Sequence, residues 1–261
     1  MGIRAEIIPH QAIIHFLLHC YSYVCNTWQH AVREPVPDQG FEKRFRESCI
    51  SQLAGWQISS EREMNLGQRI STSSGVLHEI DIVGQHSDIN AFVEIKNRAG
   101  WPPEKNDVIV FYAKIFDYMT SFPDLLIKEI CPVVLSSNSF EESGLAACIG
   151  LGIHPVAPGL RPLPLLIYNL KCMEVELMNG LLLEDEFKDK YQDLCAYINC
   201  FASKVDNTWV SNRCSRLSED KMFIKSIGGL NTIELVGQLR FMNRECTLLL
   251  SNFRKNKGTK I

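Results

Sequence analysis

An α/β fold is predicted by two features of the amino-acid sequence. Short apolar runs of strand length alternate with longer runs in which apolar residues recur every three or four positions, from about residue 39 to residue 157. A proline-rich break at 161–164 then precedes a C-terminal region of mostly helical periodicity. With 261 residues, the chain has room for one sizeable domain and an appendage.

Residues 1–38 are expected to form a helical N-terminal extension. Apolar and aromatic residues dominate Ile7–Trp28, but histidines and a glutamine interrupt any run long enough to cross a bilayer, so a soluble helix without membrane contact is favoured. His15 and His19 are four residues apart, a spacing that could bind a metal on one helix face. A packed or surface helix is preferred, because no acidic or thiol partner set accompanies them.

The next predicted helix begins after Asp38 and ends at Gly55, which suits a C-cap. Its apolar face consists of Phe41, Phe45, Cys49, Ile50 and Leu53. Glu42 projects near the middle of that face, whereas Glu47 points to the opposite side. A carboxylate on a core-facing stripe needs a partner, so Glu42 is a candidate site residue. The alternative is a first-turn acid that the helix dipole favours.

Charged residues then interrupt two strand-like segments. The segments span 76–83 and 91–95, and the polar turn at 84–90 between them predicts a hairpin. Because side chains alternate across a strand, Glu79 and Asp81 share one face of the first segment. These acids occupy positions where a buried strand should be apolar.

The second segment places Glu94 and Lys96 on one face, opposite Val93 and Ile95. Three carboxylates and an ammonium can therefore converge, a set that fits metal-assisted hydrolysis: carboxylates hold a hard cation, and a lysine orients water and offsets negative charge. The alternative is a salt-bridge ladder on a solvated sheet face. The apolar residues around Phe92 weigh against that alternative, because they make the strand look buried on both sides.

The remaining elements continue the alternation of helix and strand. They are a helix at Asn106–Met119, a strand at Ile130–Leu135, a helix at Glu141–Leu151 and a strand at Ile153–Val156. Beyond the break, Leu165–Leu170 is expected to be a last strand. Apolar residues between 181 and 198 predict an amphipathic helix that packs against the core.

Composition narrows the cellular setting and the class of partner. The formal net charge of −3 argues against a broadly basic nucleic-acid coat, so any DNA contact must come from a local patch, metal-bridged phosphates or another subunit. Ten cysteines occur without a C-x-x-C pair, which favours reduced thiols and a cytoplasmic location. No Walker-type phosphate loop or helix-turn-helix pattern is present.

The order of these motifs resembles the PD-(D/E)XK nuclease superfamily, and within it the Mrr-like, restriction endonuclease-like branch. The resemblance rests on the inward Glu42 of a helix, then Glu-Ile-Asp-Ile-Val at 79–83, then Phe-Val-Glu-Ile-Lys-Asn-Arg at 92–98. It covers about residues 39 to 157. It implies a restriction endonuclease-like core, in which a central mixed sheet is flanked by helices, within residues 39–170. A mainly helical region is expected at 171–261.

The resemblance also implies roles for individual residues. Asp81 and Glu94 would be ligands of Mg²⁺, for which Mn²⁺ could substitute, and the backbone carbonyl of Ile95 would be a further ligand. Lys96 would be the catalytic lysine. Intact residues at these positions favour an active enzyme over an inactive descendant of the fold.

Glu42 matches the family's helix-borne acid and would join Asp81, Glu94 and Lys96 in the catalytic set. Three further residues are accessory candidates by the same resemblance. Glu79 occupies a less regular position two residues before the aspartate. Lys114 and Tyr118 lie where some branches carry a Gln-x-x-x-Tyr pair, with the lysine in place of glutamine. A lysine there could contact phosphate as a point charge. The alternative is a solvated lysine beside a half-buried tyrosine.

The function that the sequence predicts is metal-dependent hydrolysis of phosphodiester bonds, as a DNA endonuclease in restriction, defence or repair. Two alternatives stay open: a catalytically inactive nuclease fold that binds DNA or assembles with partners, and a different phosphate-ester hydrolase with the same metal chemistry. By analogy with nucleases that cut both strands, a homodimer is expected.

Overall fold

The structure is a computed structural model that describes residues 11–31, 39–59, 68–97, 101–182, 185–192, 194 and 230–255. These residues belong to two compact units. The first, Gln11–Leu160, is an α/β unit that contains the strands. The second begins at Arg161, and its described elements are helices.

Helices and strands alternate through most of the first unit. In chain order they are α1 (Gln11–Ala31), α2 (Gln39–Gln52), β1 (Gln57–Ile58), β2 (Gln68–Ser71), β3 (Leu77–Ile80), β4 (Ile82–His86), β5 (Ile89–Lys96), α3 (Lys105–Ser121), a 3₁₀ turn (Pro123–Ile127), β6 (Glu129–Ser136), α4 (Glu142–Leu151) and β7 (His154–Val156).

Five of the strands form a mixed sheet in the order β1-β4-β5-β6-β7. β1, β4 and β5 pair antiparallel, whereas β5, β6 and β7 pair parallel. β2 and β3 form a separate two-stranded antiparallel sheet. The predicted α/β fold, with a mixed sheet flanked by helices, is confirmed at this level.

The predicted strand at 76–83 is wrong in one respect, because it is two strands that belong to different sheets. β3 ends at Ile80 and β4 begins at Ile82, so Asp81 stands alone between them. The predicted turn at 84–90 is also shorter than expected. β4 and β5 continue pairing as far as His86 and Ile89, and Ser87 closes the turn in the left-handed region with φ of 52°.

The central strand β5 is buried along almost its whole length, as its apolar sequence predicts. Phe92 contacts the ring of Tyr118 on α3 at a centroid distance of 5.3 Å. Glu94 and Lys96 follow Phe92 at two-residue intervals on the same strand face, so they point toward α3 as well. The helix and the charged residues therefore share one side of the sheet.

The N-terminal end of α3 is fixed from two directions. The backbone N–H of Glu104 donates to Asp107 Oδ2 at 3.2 Å in a capping box. Helix α4 approaches the preceding segment closely: the N–H of Glu141 donates to the backbone oxygen of Pro103 at 3.1 Å. A Cβ atom on Gly144 would overlap that same oxygen. Gly144 is thus required for this approach.

The second unit corrects the prediction of a last strand at Leu165–Leu170. This run lies inside helix α5 (Leu163–Met178), which packs against α6 (Thr232–Lys255). A short continuous apolar run does not distinguish a buried strand from a buried helix segment, and every residue of Leu163–Ile167 is buried here. Pro164 lies in the first turn of α5, where a missing N–H costs nothing.

The predicted amphipathic helix at 181–198 is present in part. Residues 185–192 are helical, and the buried rings of Phe187 and Tyr191 stack at 5.6 Å. Residues 195–198 lie outside the described part of the chain. Among the described helices, none is both long enough and apolar enough to span a bilayer.

Candidate active site

The break between β3 and β4 places Asp81 beside the central strand. Its Oδ2 atom accepts a hydrogen bond from the backbone N–H of Ile95 at 2.6 Å. This contact follows from the antiparallel register of β4 and β5, in which Ile82 pairs with Val93. Asp81 was predicted to lie within one continuous strand. It lies instead at the junction between β3 and β4, where its carboxylate contacts the backbone of β5.

Glu94 is the most buried acid of the site, and two lysines surround its carboxylate. The residue is 6% exposed. Lys96 Nζ lies 2.9 Å from Oε1, and Lys114 Nζ lies 3.2 Å from Oε1 and 3.1 Å from Oε2. A buried carboxylate is costly unless it is paired and hydrogen-bonded, and these two ammoniums supply both kinds of compensation.

Burial raises the pKa of Asp81 from its ordinary value to about 8. The negative charges of Glu94 and Glu42 add to that increase. The hydrogen bond from Ile95 and the ammonium of Lys96 act in the opposite direction without cancelling it. Burial therefore disfavours the ionised form of Asp81, and the neighbouring carboxylates disfavour it further.

Glu42 belongs to this group of charges. It lies in the first turn of α2 and is partly buried, and burial raises its pKa. The guanidinium of Arg46 opposes that increase, whereas the carboxylates of Glu79 and Glu94 add to it. The dipole of α2 also favours an acid in the first turn of the helix. A site role for Glu42 and a favourable interaction with the helix dipole are therefore compatible. We call Glu42, Asp81, Glu94, Lys96 and Lys114 the site cluster.

Two contributors were missed by the sequence analysis. Arg46, one turn after Glu42, donates from Nη2 to the backbone oxygen of Asp81 at 2.7 Å, which fixes the strand junction. Asp107 Oδ1 lies 3.8 Å from Lys96 Nζ. Both residues could have been recognised in the sequence. Arg46 lies four residues after Glu42 on the same helix, and Glu104 and Asp107 have the spacing of a capping box.

Lys114 and Tyr118 have different surroundings. Lys114 is an ion-pair partner of Glu94, and its side chain is 20% exposed, so the alternative of a solvated lysine is wrong. Tyr118 contacts the rings of Phe92 and Phe122, and burial raises its pKa. The described contacts of Tyr118 are thus aromatic packing. Glu79 lies on β3, two residues before Asp81, and acts on Glu42 through its charge.

The preferred interpretation of the N-terminal histidines is confirmed for His19. Its ring stacks on Phe45 at a centroid distance of 5.9 Å, and Nε2 lies 3.3 Å from Ser48 Oγ. Burial lowers its pKa. His15 is exposed on the same helix. Helix α1 therefore uses His19 in packing against α2.

The oxygen donors of the site fit a hard divalent cation without forming a closed cage. Within the described ranges, no group of three or more His, Cys, Asp or Glu side chains is arranged to hold a metal ion. Mg²⁺ commonly takes only one or two protein carboxylates and completes its coordination with water and phosphate oxygens. Asp81 and Glu94 would supply two carboxylates, and the backbone carbonyl of Ile95 would supply a further oxygen ligand. Burial, together with the charges of Glu94 and Glu42, raises the pKa of Asp81, and a bound cation would favour the ionised form of this carboxyl.

Comparison with protein-family models, with curated proteins and with solved structures finds no match to this chain. Function is therefore inferred from the chemistry of the site residues.

Proposed function

We propose that this protein is a metal-dependent nuclease of the PD-(D/E)XK superfamily, in its Mrr-like, restriction endonuclease-like branch. The observation that carries the proposal is the convergence of Asp81, Glu94 and Lys96. The three residues come from a strand junction and an adjacent buried strand. Asp81 Oδ2 accepts a 2.6 Å hydrogen bond from the backbone of β5, and Lys96 and Glu94 form a 2.9 Å ion pair.

The proposed division of labour follows from the contacts. A bound Mg²⁺, or Mn²⁺ in its place, would polarise the scissile phosphate and lower the pKa of a bound water. Asp81 and Glu94 would hold that cation, with the backbone carbonyl of Ile95. Lys96 remains beside Glu94, where its ammonium orients water and offsets negative charge as the P–O bond breaks.

Several surrounding features support a reaction of this kind. Lys96 is 14% exposed and has acidic neighbours on two sides, Glu94 and Asp107, so its ammonium is held in one position. Arg46 fixes the backbone of Asp81. Preorganised charges of this type are the main source of catalysis in phosphoryl chemistry, because little reorganisation is needed during the reaction.

The proposed substrate is DNA, cut internally in restriction, defence or repair by a cytoplasmic enzyme that acts as a homodimer. DNA and the dimer follow from the family resemblance. The net charge of −3 gives no general attraction to nucleic acid, so metal-bridged phosphates and local cations must supply the affinity.

A nuclease fold that binds DNA without cutting it is the second candidate. The observation in its favour is the double ion pair of Glu94, whose oxygens are both occupied by ammoniums. A carboxylate held in this way would serve as a purely structural element of the core. The two candidates differ in whether a divalent cation displaces one of these contacts.

The deciding experiment is cleavage of plasmid, linear double-stranded DNA, single-stranded DNA and RNA in Mg²⁺, Mn²⁺ or EDTA. Wild type is compared with Lys96→Ala and with Lys43→Ala, a matched control whose lysine is 66% exposed on α2. We expect cation-dependent cutting by wild type and the control, and none by Lys96→Ala. Equal cutting by both variants would refute the role of Lys96. Circular dichroism checks that each variant is folded.

A further inference from the structure

Two ammoniums contact the carboxylate of Glu94 in this structure. Lys114 lies within 3.2 Å of both carboxylate oxygens, and Lys96 lies 2.9 Å from one of them. A divalent cation on Glu94 would bring two positive charges next to two ammoniums in a partly buried site, where like charges repel strongly. At least one ammonium must therefore leave Glu94 when the carboxylate becomes a ligand.

The two lysines differ in how firmly they are held. Lys96 has a second acidic neighbour, Asp107, at 3.8 Å, and its side chain is 14% exposed. For Lys114, the ion pair with Glu94 is the one charged contact among the described residues, and its side chain is 20% exposed. Lys114 also projects from α3 rather than from β5. The long, flexible stem of a lysine allows its ammonium to move several ångströms without backbone movement.

We propose that Lys114 occupies Glu94 in the metal-free protein and moves to an anionic oxygen of the substrate phosphate when a divalent cation takes that carboxylate. Lys114 thereby prevents repulsion within the acidic cluster when no cation is present. With the cation bound, the same ammonium contributes to substrate affinity. This inference rests on the proposed function, because it requires that Glu94 be a metal ligand.

The proposal predicts effects of opposite sign from one substitution. Lys114→Met keeps the length of the side chain and removes the competing charge, so Mn²⁺ should bind roughly threefold more tightly or better. The same substitution removes a phosphate contact, so DNA should bind roughly threefold more weakly or worse. A merely structural role of Lys114 would weaken both.

Mn²⁺ affinity is measured by isothermal titration calorimetry on the full chain for wild type, Lys114→Met, Asp81→Asn and Lys105→Met. Lys105 is an exposed residue of the same helix and controls for a general change in charge. Affinity for a short double-stranded DNA in Mn²⁺ is measured by fluorescence anisotropy in the Lys96→Ala background, so that the DNA stays intact.

The expected result is tighter Mn²⁺ and weaker DNA binding for Lys114→Met, with Lys105→Met unchanged and Asp81→Asn impaired in Mn²⁺ binding. Unchanged or weaker Mn²⁺ binding by Lys114→Met would overturn the inference but leave the proposed function standing, provided that Asp81→Asn is impaired. Tighter Mn²⁺ with unchanged DNA affinity would overturn the phosphate contact. Equal Mn²⁺ binding by wild type and Asp81→Asn would overturn the inference together with the metal site.

Discussion

Two groups of polar side chains lie along helix α3, and their carboxylates are stabilised in different ways. In the site cluster, Glu94 is paired with two lysines and the pKa of Asp81 is raised to about 8. Near the C-terminal end of the helix, Asp117 Oδ2 accepts hydrogen bonds from Thr72 Oγ1 and Ser74 Oγ, both at 2.7 Å.

We call Thr72, Ser74, His78 and Asp117 the Asp117 cluster. His78 Nε2 lies 2.6 Å from the same carboxylate oxygen. The hydrogen bond from Ser74, followed by those from Thr72 and His78, lowers the pKa of Asp117. These three donors converge on Oδ2 and attach the two-stranded sheet to α3. A cation would favour the ionised form of Asp81, whereas Asp117 already has hydrogen-bond donors that do so.

The largest effect on stability is expected for Glu94→Gln. The amide keeps the shape of the side chain but leaves two lysines at a partly buried site without their main negative partner. Removal of one member of a buried ion pair should cost roughly 2–4 kcal/mol of unfolding free energy, measured by urea denaturation. Glu47→Gln is the matched control, since Glu47 is 61% exposed with Lys43 at 4.0 Å. Equal losses for the two variants would contradict the importance of the Glu94 ion pairs.

Gly144→Ala should have the next largest effect, because it acts on the end of α3 that serves the site. The new methyl group would overlap the backbone oxygen of Pro103, and a backbone atom cannot move aside cheaply. Overpacking of this kind costs about 1–3 kcal/mol. Gly150→Ala in the same helix has free space around it, so it should stabilise the protein by about 0.5–1 kcal/mol. Destabilisation of equal size by both variants would contradict the close approach.

Asp81→Asn should stabilise the metal-free protein at high pH. A carboxyl whose pKa is raised on folding contributes stability below its unfolded pKa, and that stability is lost as pH rises through the folded value of about 8. The amide side chain of the Asp81→Asn variant does not ionise, so the variant does not lose this stability as pH rises. The variant should therefore be more stable than wild type at pH 8 in EDTA by at least about 1.4 kcal/mol, the free energy equivalent of one pKa unit.

Urea denaturation at pH 4 and pH 8 measures this difference, which should nearly vanish at pH 4. Addition of Mg²⁺ should stabilise wild type at pH 8 more than it stabilises Asp81→Asn. A variant that is less stable than wild type at pH 8 in EDTA would show that folding does not raise the pKa of Asp81.

Asp117→Asn should have the smallest effect, with the opposite dependence on pH. A carboxyl whose pKa is lowered on folding contributes stability above its unfolded pKa of about 3.9, and this contribution is lost as pH falls through the folded value. Wild type should be slightly more stable than the variant at pH 7, and the two should converge in acid. Urea midpoints at pH 7 and pH 3 test this, and a difference that grows in acid would contradict it.

The strand residues of the site cluster could be predicted from sequence because their signal is local. Acids and a lysine inside strand-like runs are costly, and two-residue alternation puts Glu94 and Lys96 on one face. The detail that failed was the continuity of the first strand, since a sequence pattern does not reveal that a chain changes sheets at one residue. Asp81 occupies that junction.

The Asp117 cluster could not be predicted in the same way. Its members are separated by up to 45 residues along the chain, and Thr72, Ser74 and His78 resemble ordinary turn residues. Their convergence depends on how the two-stranded sheet packs on α3. Leu165–Leu170 was wrongly predicted as a strand because its apolar residues are nearly continuous and show no clear helical periodicity, although Tyr168 is exposed on α5.

The most direct test uses the same substitution in both clusters. Plasmid cleavage in Mg²⁺ is measured for wild type, Asp81→Asn and Asp117→Asn, with EDTA as the metal-free control and circular dichroism as the check on folding. Wild type and Asp117→Asn should cut the plasmid in Mg²⁺ alone, and Asp81→Asn should lose at least about 100-fold of that activity, as expected when a catalytic group is removed. Undiminished Mg²⁺-dependent cutting by a folded Asp81→Asn would contradict the assignment of this cluster as the active site.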